Sequence, residues 1–126
     1  MTIEQVIVTR LLAVTAITDM VGDRVSPVVL RTETTDPALV YMRMYGDRQY
    51  ALDGATKVAT VQMQLMAWAL DYATARGLAD QVRLALDTWG SDDVEIVTVT
   101  DGPDTYAEEI EMFGCPVNLT AKYVEV

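Results

Sequence analysis

The sequence contains no histidine among its 126 residues. Histidine is the usual proton-transfer residue near neutral pH, so its absence excludes Ser-His-Asp and Cys-His arrangements. Lysine is also scarce, since only Lys57 and Lys122 occur, and the glycines are isolated and form no phosphate-cradling loop. We find no catalytic set in these residues and predict that the chain is not an enzyme and needs no cofactor.

Cysteine occurs once, at Cys115, so an intrachain disulfide is excluded and synthesis in a reducing cytoplasm is expected. Cys115 stands before Pro116 and an apolar run, which is typical of a small core residue rather than a reactive thiol. The first residues carry Glu4 and no basic stretch, and no apolar run approaches the length of a membrane span. We therefore expect a soluble protein without an export signal.

Basic residues are outnumbered, 9 against 19 acidic ones, which gives a net charge of −10. Proteins that grip DNA or RNA neutralise phosphates with Lys and Arg, so this balance argues against nucleic-acid binding. It suits either simple solubility or a surface that DNA passes without adhering. The length of 126 residues predicts a single domain over 1–126, and the hydrophobic content of 51% is that of a globular protein.

The hydrophobic periodicity predicts an α+β fold. We expect a mainly antiparallel sheet with helices packed on one face, in the order α(α)βββαββ. The predicted helices cover 3–14, 15–21 (ending at Gly22) and 71–89, and the predicted strands cover 25–30, 38–45, 58–69, 94–99 and 117–124, with a turn-rich connection at 46–54 and an ambiguous segment at 106–112.

The strand at 58–69 alternates strictly, which predicts one buried and one open face. The helix that follows has an apolar stripe, and it also has a second side made of Ala73, Gly77 and Leu84. Gly77 flanked by such residues permits the close approach of another segment. That segment belongs either to a neighbouring subunit or to the same chain. The apolar stripe of this helix, which is expected to face the core, comprises Tyr72, Ala75, Leu78, Ala79, Val82, Ala85, Leu86 and Trp89.

Tyrosines and arginines alternate around the connection at 46–54, including Tyr45, Arg48 and Tyr50. Both residue types are enriched in protein–protein contacts, so we predict subunit or partner contacts here. The alternative is ordinary packing of tyrosines at a sheet edge.

The densest acidic cluster predicts either an ordinary acidic loop, a partner-facing surface or a divalent cation site. Its spacing lacks the order of a calcium-binding loop, so we predict no metal site. The cluster contains Asp101, Asp104, Glu108, Glu109 and Glu111.

Four segments together resemble the small tail completion (tail terminator, or head–tail joining) proteins of tailed bacteriophages. They are Pro37-Ala-Leu-Val-Tyr41, Gly46-Asp-Arg48 with Tyr50-Ala-Leu-Asp-Gly54, Val61-Gln-Met-Gln-Leu-Met-Ala-Trp68, and the helix from Asp71 to Asp87. The resemblance covers nearly the whole chain and is firm from 37 to 89. Gly114-Cys-Pro116 departs from it, because Pro116 lacks a backbone donor and predicts a late or kinked last strand.

The resemblance implies a structural virion protein without enzymatic activity. It implies a hexameric ring at the head-proximal end of the tail tube, which ends tube polymerisation and contacts the head connector or adaptor proteins. DNA would pass through the bore without sequence-specific binding. The expected location is the tail or neck of a virion, after synthesis in the host cytoplasm.

Two other interpretations stay open at this stage. One is a neighbouring neck component, such as a head-completion or adaptor protein. The other is a small cellular α+β domain that binds a ligand or regulates a partner, which would require a defined pocket. A metal-dependent enzyme built on Asp101, Asp104 and Glu108 is a more remote third.

Overall fold

The computed structural model describes residues 3–22, 24–28, 37–51, 54–87, 89–90 and 94–124, with the side chains of 47–51, 54–58, 95–96 and 124 outside the description. The chain folds as an α+β domain with three helices and a six-stranded mixed sheet among these residues, as predicted. The helices are α1 (Ile3–Leu12), α2 (Thr15–Val21) and α3 (Tyr72–Leu86). The strands are β1 (Val25–Pro27), β2 (Ala38–Ala51), β3 (Gly54–Ala69), β4 (Val94–Asp101), β5 (Thr105–Ala107) and β6 (Met112–Val124).

The sheet has the strand order β1-β2-β3-β6-β4, and β5 pairs with β6 beyond the end of β4. All pairs are antiparallel except β1 with β2, where Val25 lies opposite Leu39. The chain therefore places its first strands at one edge of the sheet and its β4–β5 segment at the other.

The helices cover one face of the sheet, and the alternation of β3 decides which one. The predicted inner residues of β3 are all buried, and those from Val61 to Ala67 pack in the main core with the buried residues of α3. Their alternating neighbours on the other face, from Thr60 to Trp68, are exposed or half-buried. The alternation correctly predicted both faces, because side chains of a strand point to opposite sides in turn. The buried set is Ala59, Val61, Met63, Leu65, Ala67.

Two arginines fasten the helices to the rest of the fold. Nε of Arg10 on α1 donates to the carbonyl of Ala85, and its guanidinium lies 5.7 Å from the ring centroid of Trp89. Arg24 donates to the carbonyls of Met20 and Pro37, which connects the end of α2 to the start of β2. Gly22 ends α2, as predicted, with φ 58° and ψ −116°, a combination that favours glycine. None of the helices in the described part of the chain is long and apolar enough to cross a bilayer.

The predicted connection at 46–54 is wrong over most of its length. Strand β2 continues to Ala51 and β3 already begins at Gly54, so only two residues, 52 and 53, separate the strands. Register shifts after Arg43 and after Arg48 keep the long hairpin paired. Cross-strand pairing has overridden the turn propensity of Gly46 and Asp47 here.

The last strand also begins earlier than predicted, at Met112 rather than 117, and it passes through Pro116. Pro116 lies opposite Met66, and its carbonyl accepts from the backbone N of Gly102 in the β4–β5 turn. Its nitrogen faces the same side, because N and C=O of one residue in an antiparallel strand point the same way. The nitrogen of Pro116, which has no hydrogen to donate, therefore faces the β4–β5 turn, and no hydrogen bond to β3 is lost.

Helix α3 is shorter than the predicted 71–89. It ends at Leu86 because Asp87 adopts an extended conformation with ψ 124°. The carbonyl of Trp89 then accepts a hydrogen bond from the backbone N of Val97 on β4. The predicted helix end at Gly90 is wrong because Trp89 hydrogen-bonds to β4 and does not continue the helix.

Candidate interaction surfaces

The outer side of α3 carries the predicted contact residues Ala73, Gly77 and Leu84. Ala73 is exposed, Leu84 is 63% exposed, and a Cβ added to Gly77 would meet no described heavy atom within 4 Å. No described segment of the same chain approaches this side closely. A contact with a neighbouring subunit stays a prediction.

The N-terminus of α3 is capped by Asp71, as predicted. Its carboxylate accepts from the backbone N of Thr74 at 3.0 Å and from the hydroxyl of Thr74 at 2.7 Å. These hydrogen bonds lower the pKa of Asp71, the hydroxyl bond most. The cap fixes where the helix starts and therefore which residues face outward.

The other predicted contacts belong to β2. Tyr45 lies opposite Gln62 on the helix-free face of the sheet and is 57% exposed. Arg48 and Tyr50 lie further along the same strand, but their side chains are outside the description. The bulge after Arg43 shifts the register and leaves Met44, also exposed, without a partner opposite it on β3.

Arg43 ties this part of β2 to the first helix. Its guanidinium forms a short ion pair with the carboxylate of Glu4, and this hydrogen bond raises the pKa of Arg43. Between α1 and β2 lies an open groove of about 490 Å³, lined by Gln5, Val8, Thr9 and Tyr41. The groove has no cluster of ionisable groups and offers little chemistry for ligand recognition.

On the opposite side of the molecule, Arg76 of α3 gathers three carboxylates. Nη1 donates to Asp104 at 3.0 Å, Nε lies 3.4 Å from Asp80, and Nη2 lies 3.6 Å from Asp101. The Arg76–Asp80 pair was predicted, but its extension to the β4–β5 turn was not. Two of the acids considered for a cation site thus serve to hold this turn against α3. Among the described residues no group of Cys, Asp or Glu side chains could hold a metal ion.

Tyr72 also binds the β4–β5 turn. Its hydroxyl donates to Asp104 at 2.6 Å, which is the largest cause lowering the pKa of that carboxyl. The prediction that Tyr72 belongs to the buried stripe is wrong, since the residue is 45% exposed. Its polar hydroxyl finds a partner at the rim of the core rather than inside it.

An aromatic cluster continues from Tyr72 to β5. The ring of Phe113 lies 5.9 Å from that of Tyr72 and 4.8 Å from that of Tyr106, measured between centroids. Beneath it Cys115 is buried, and burial raises the pKa of its thiol to about 11. At neutral pH this cysteine is a protonated core residue, as predicted.

The turn between β5 and β6 exposes Glu108, Glu109, Ile110 and Glu111. Ile110 is 43% exposed, and its backbone N donates to the carbonyl of Ala107. Among the described residues no basic side chain forms an ion pair with these glutamates.

The absence of basic residues marks this acidic region in the sequence, whereas the spacing of the acids gives no such signal. No Lys or Arg occurs from Leu84 to Ala121, whereas this stretch carries nine acids, which is nearly all of the net charge. The first 83 residues are almost neutral, with 8 basic and 9 acidic residues. Because β4 and β5 lie at one edge of the sheet, the charge asymmetry along the chain becomes an asymmetry across the fold.

Comparison with known proteins supports a virion component. The fold is similar to that of a chain in the structure titled "Virion of native gene transfer agent (GTA) particle", with a TM-score of 0.70 and 18% identity, over 94% of this chain and 91% of that one. No curated protein matches the sequence. The family model "Tail completion protein gp17" matches residues 5–122. The chain therefore belongs to the tail completion protein gp17 family and is a structural protein of a phage-like tail.

Proposed function

We propose that the protein forms a ring that caps the head-proximal end of the tail tube. The resemblance to tail completion proteins implies that the ring has six copies. The ring ends tube polymerisation, contacts the head connector or adaptor proteins and lets DNA pass. The observation that carries this proposal is the family match over residues 5–122. We propose that the protein acts through its surfaces, in contacts with other proteins of the virion.

A ring is a physically reasonable assembly for this sheet. Edge strands present unpaired backbone groups, and closure between copies covers them. Among the described residues, β1 pairs with β2 only as far as Tyr41, and no described strand pairs with the outer edge of β2 from Met42 to Ala51. We assign subunit or partner contacts to the two predicted groups, Ala73, Gly77, Leu84 on α3 and Tyr45, Arg48, Tyr50 on β2.

The charge supports passage of DNA rather than binding of DNA. A net charge of −10 repels phosphates, so DNA would slide past an acidic bore. We propose that residues of the base-free stretch 84–121 contribute to that repulsion.

The test is polymerisation of the purified tail-tube protein of the same virion, with and without this chain. We expect tubes to stop growing when the chain is added, and electron microscopy to show a ring at one end. The mass of the assembly, alone and with tube protein, gives the number of copies. A mutant particle lacking the chain should have overlong tails.

The alternative is a different position in the neck. Tubes that grow unchanged, combined with tight binding to the portal–adaptor complex, would replace the tail cap by a head-completion or adaptor role. A ligand-binding cellular domain is disfavoured by the family match.

A further inference from the structure

We infer that residues 102–111, named the arm, open as a unit away from a fold that otherwise stays intact, and that Arg76 is the latch that holds the arm closed. The arm comprises the turn after β4, the short strand β5 and the turn before β6. Opening uncovers the thiol of Cys115 on β6. The inference concerns the single chain and does not depend on the proposed ring.

The arm contributes no side chain to the core. The structure describes every residue of the arm, and each of them is exposed or half-buried. Cys115, by contrast, is fully buried. Opening the arm therefore separates few apolar groups from each other. A segment with few buried apolar contacts opens at a lower free energy than the whole fold.

The backbone attachment of the arm to β6 is short. Strand β5 spans only Thr105–Ala107, and among the described strands it pairs with β6 alone. At the start of the arm, the backbone N of Gly102 donates to the carbonyl of Pro116 at 3.3 Å, which is a long hydrogen bond. A three-residue strand that is paired on one side gives little resistance to local opening.

The remaining attachment is mainly polar and is centred on Arg76 of α3. Its Nη1 donates to Asp104 at 3.0 Å, and its Nη2 lies 3.6 Å from Asp101, the residue that precedes the arm. Nη2 is buried but has no hydrogen-bond partner among the described residues. A buried charged donor without a partner costs free energy, and opening returns it to water. The latch is therefore incomplete, which keeps the closed arm only weakly favoured.

Both ends of the arm carry a constraint in the closed state. A Cβ added to Gly102 would lie 2.9 Å from Cγ of Pro116, so the closed arm needs a glycine at its start. At the other end Glu111 has φ 54°, a left-handed conformation that costs free energy in a residue other than glycine. Opening lets Glu111 return to an ordinary φ, so the strain also favours the open state.

The single cysteine of the chain provides the test. Burial, and then a hydrogen bond with Asp104 of the arm, raise the pKa of the Cys115 thiol to about 11, so this thiol should be unreactive while the arm is closed. N-ethylmaleimide, an uncharged reagent, should label it in the purified full chain at a rate set by the open fraction. Urea well below the unfolding transition should change this rate little, because local opening exposes little surface.

Variants of α3 identify the latch. Arg76→Gln should raise the labelling rate about three- to tenfold, because it removes the ionic contacts of the arm. Loss of a positive charge beside a thiol by itself slows its reaction, so faster labelling reports opening. Arg83→Gln is the matched control, since it removes the same charge from α3 about two turns further from the arm. It should change the rate less than about twofold.

A second variant on the arm itself sharpens the assignment. Asp104→Asn should also speed labelling, because it weakens the contact with Arg76 from the other side. Arg76→Gln and Asp104→Asn together should raise the rate by less than the product of their separate effects, since both remove one shared contact.

Urea denaturation of the same proteins separates opening of the arm from unfolding of the chain. Wild-type labelling that follows global unfolding, with its full urea dependence, would show that the arm does not open by itself. That measurement needs no variant, so it stands even if Arg76→Gln does not fold. Labelling rates that Arg76→Gln and Arg83→Gln change equally, or leave unchanged, would show that Arg76 is not the latch.

Discussion

The inner and outer sides of α3 are both largely apolar but serve different purposes. On the inner side six residues are buried in the core, among them Leu78 and Val82. On the outer side Leu84 is 63% exposed and Gly77 stands in open space. The number of apolar residues on a helix face therefore does not reveal whether the face packs within the chain. What separates the sides is whether the sheet lies against them.

The difference has an energetic meaning. Burying a leucine side chain is worth about 1.5–3 kcal/mol, and only the inner side gains it in the isolated chain. The outer side remains available for contacts that form on assembly. Variants on α3 can therefore separate stability of the fold from association of copies.

The largest expected effect comes from truncating the same residue type on each side. Leu78→Ala should lower the free energy of unfolding by about 2–5 kcal/mol, because it leaves a cavity in the core. Leu84→Ala should change it by less than about 0.5 kcal/mol. Urea denaturation of both variants measures the difference. Equal losses would show that Leu84 packs within the chain and would remove the distinction between the sides.

A smaller effect of opposite sign is expected at Gly77. Gly77→Ala should stabilise the isolated chain by up to about 1 kcal/mol, because glycine is a poor helix former and the added methyl group has free space. Gly77→Leu should weaken self-association, measured by the assembly mass, while leaving the fold intact. An unchanged assembly with a destabilised fold would mean that the contact at Gly77 is internal.

The smallest effect is expected at Tyr72, at the border between the two sides. Tyr72→Phe removes the hydrogen bond to Asp104 and should lower the free energy of unfolding only slightly at neutral pH, because the pair is exposed to solvent. The bond lowers the pKa of Asp104 in the folded state, so its stabilisation is present above the unfolded pKa and is lost as pH falls through the lowered folded value. Wild type and variant should therefore converge in acid. A difference independent of pH would show that the hydroxyl of Tyr72 stabilises the fold without the ionised carboxylate of Asp104.

Much of the fold was predictable because it rests on local periodicity. The alternation from Ala59 to Ala67 and the stripe of α3 each follow from the repeat of one element. The starting cap at Asp71 follows from its side-chain chemistry, and the stop at Gly22 follows from the conformational freedom of glycine. The candidate surfaces were predictable only in part. Tyr45 and Leu84 were singled out, whereas Met44 and Ile110 were missed because exposure of an apolar residue leaves no mark in its own sequence pattern.

The sequence by itself determined the helix-covered face of the sheet, the buried side of α3 and the excess of acid, since each is a property of spacing or composition. Only the tertiary structure decided that Pro116 lies inside a strand, where its nitrogen faces the β4–β5 turn and no hydrogen bond to β3 is lost. Only the tertiary structure decided that Arg76 reaches across to Asp101 and Asp104, and that β4 and β5 lie at one edge of the sheet. These depend on which distant segments become neighbours, and spacing along one chain does not encode that directly.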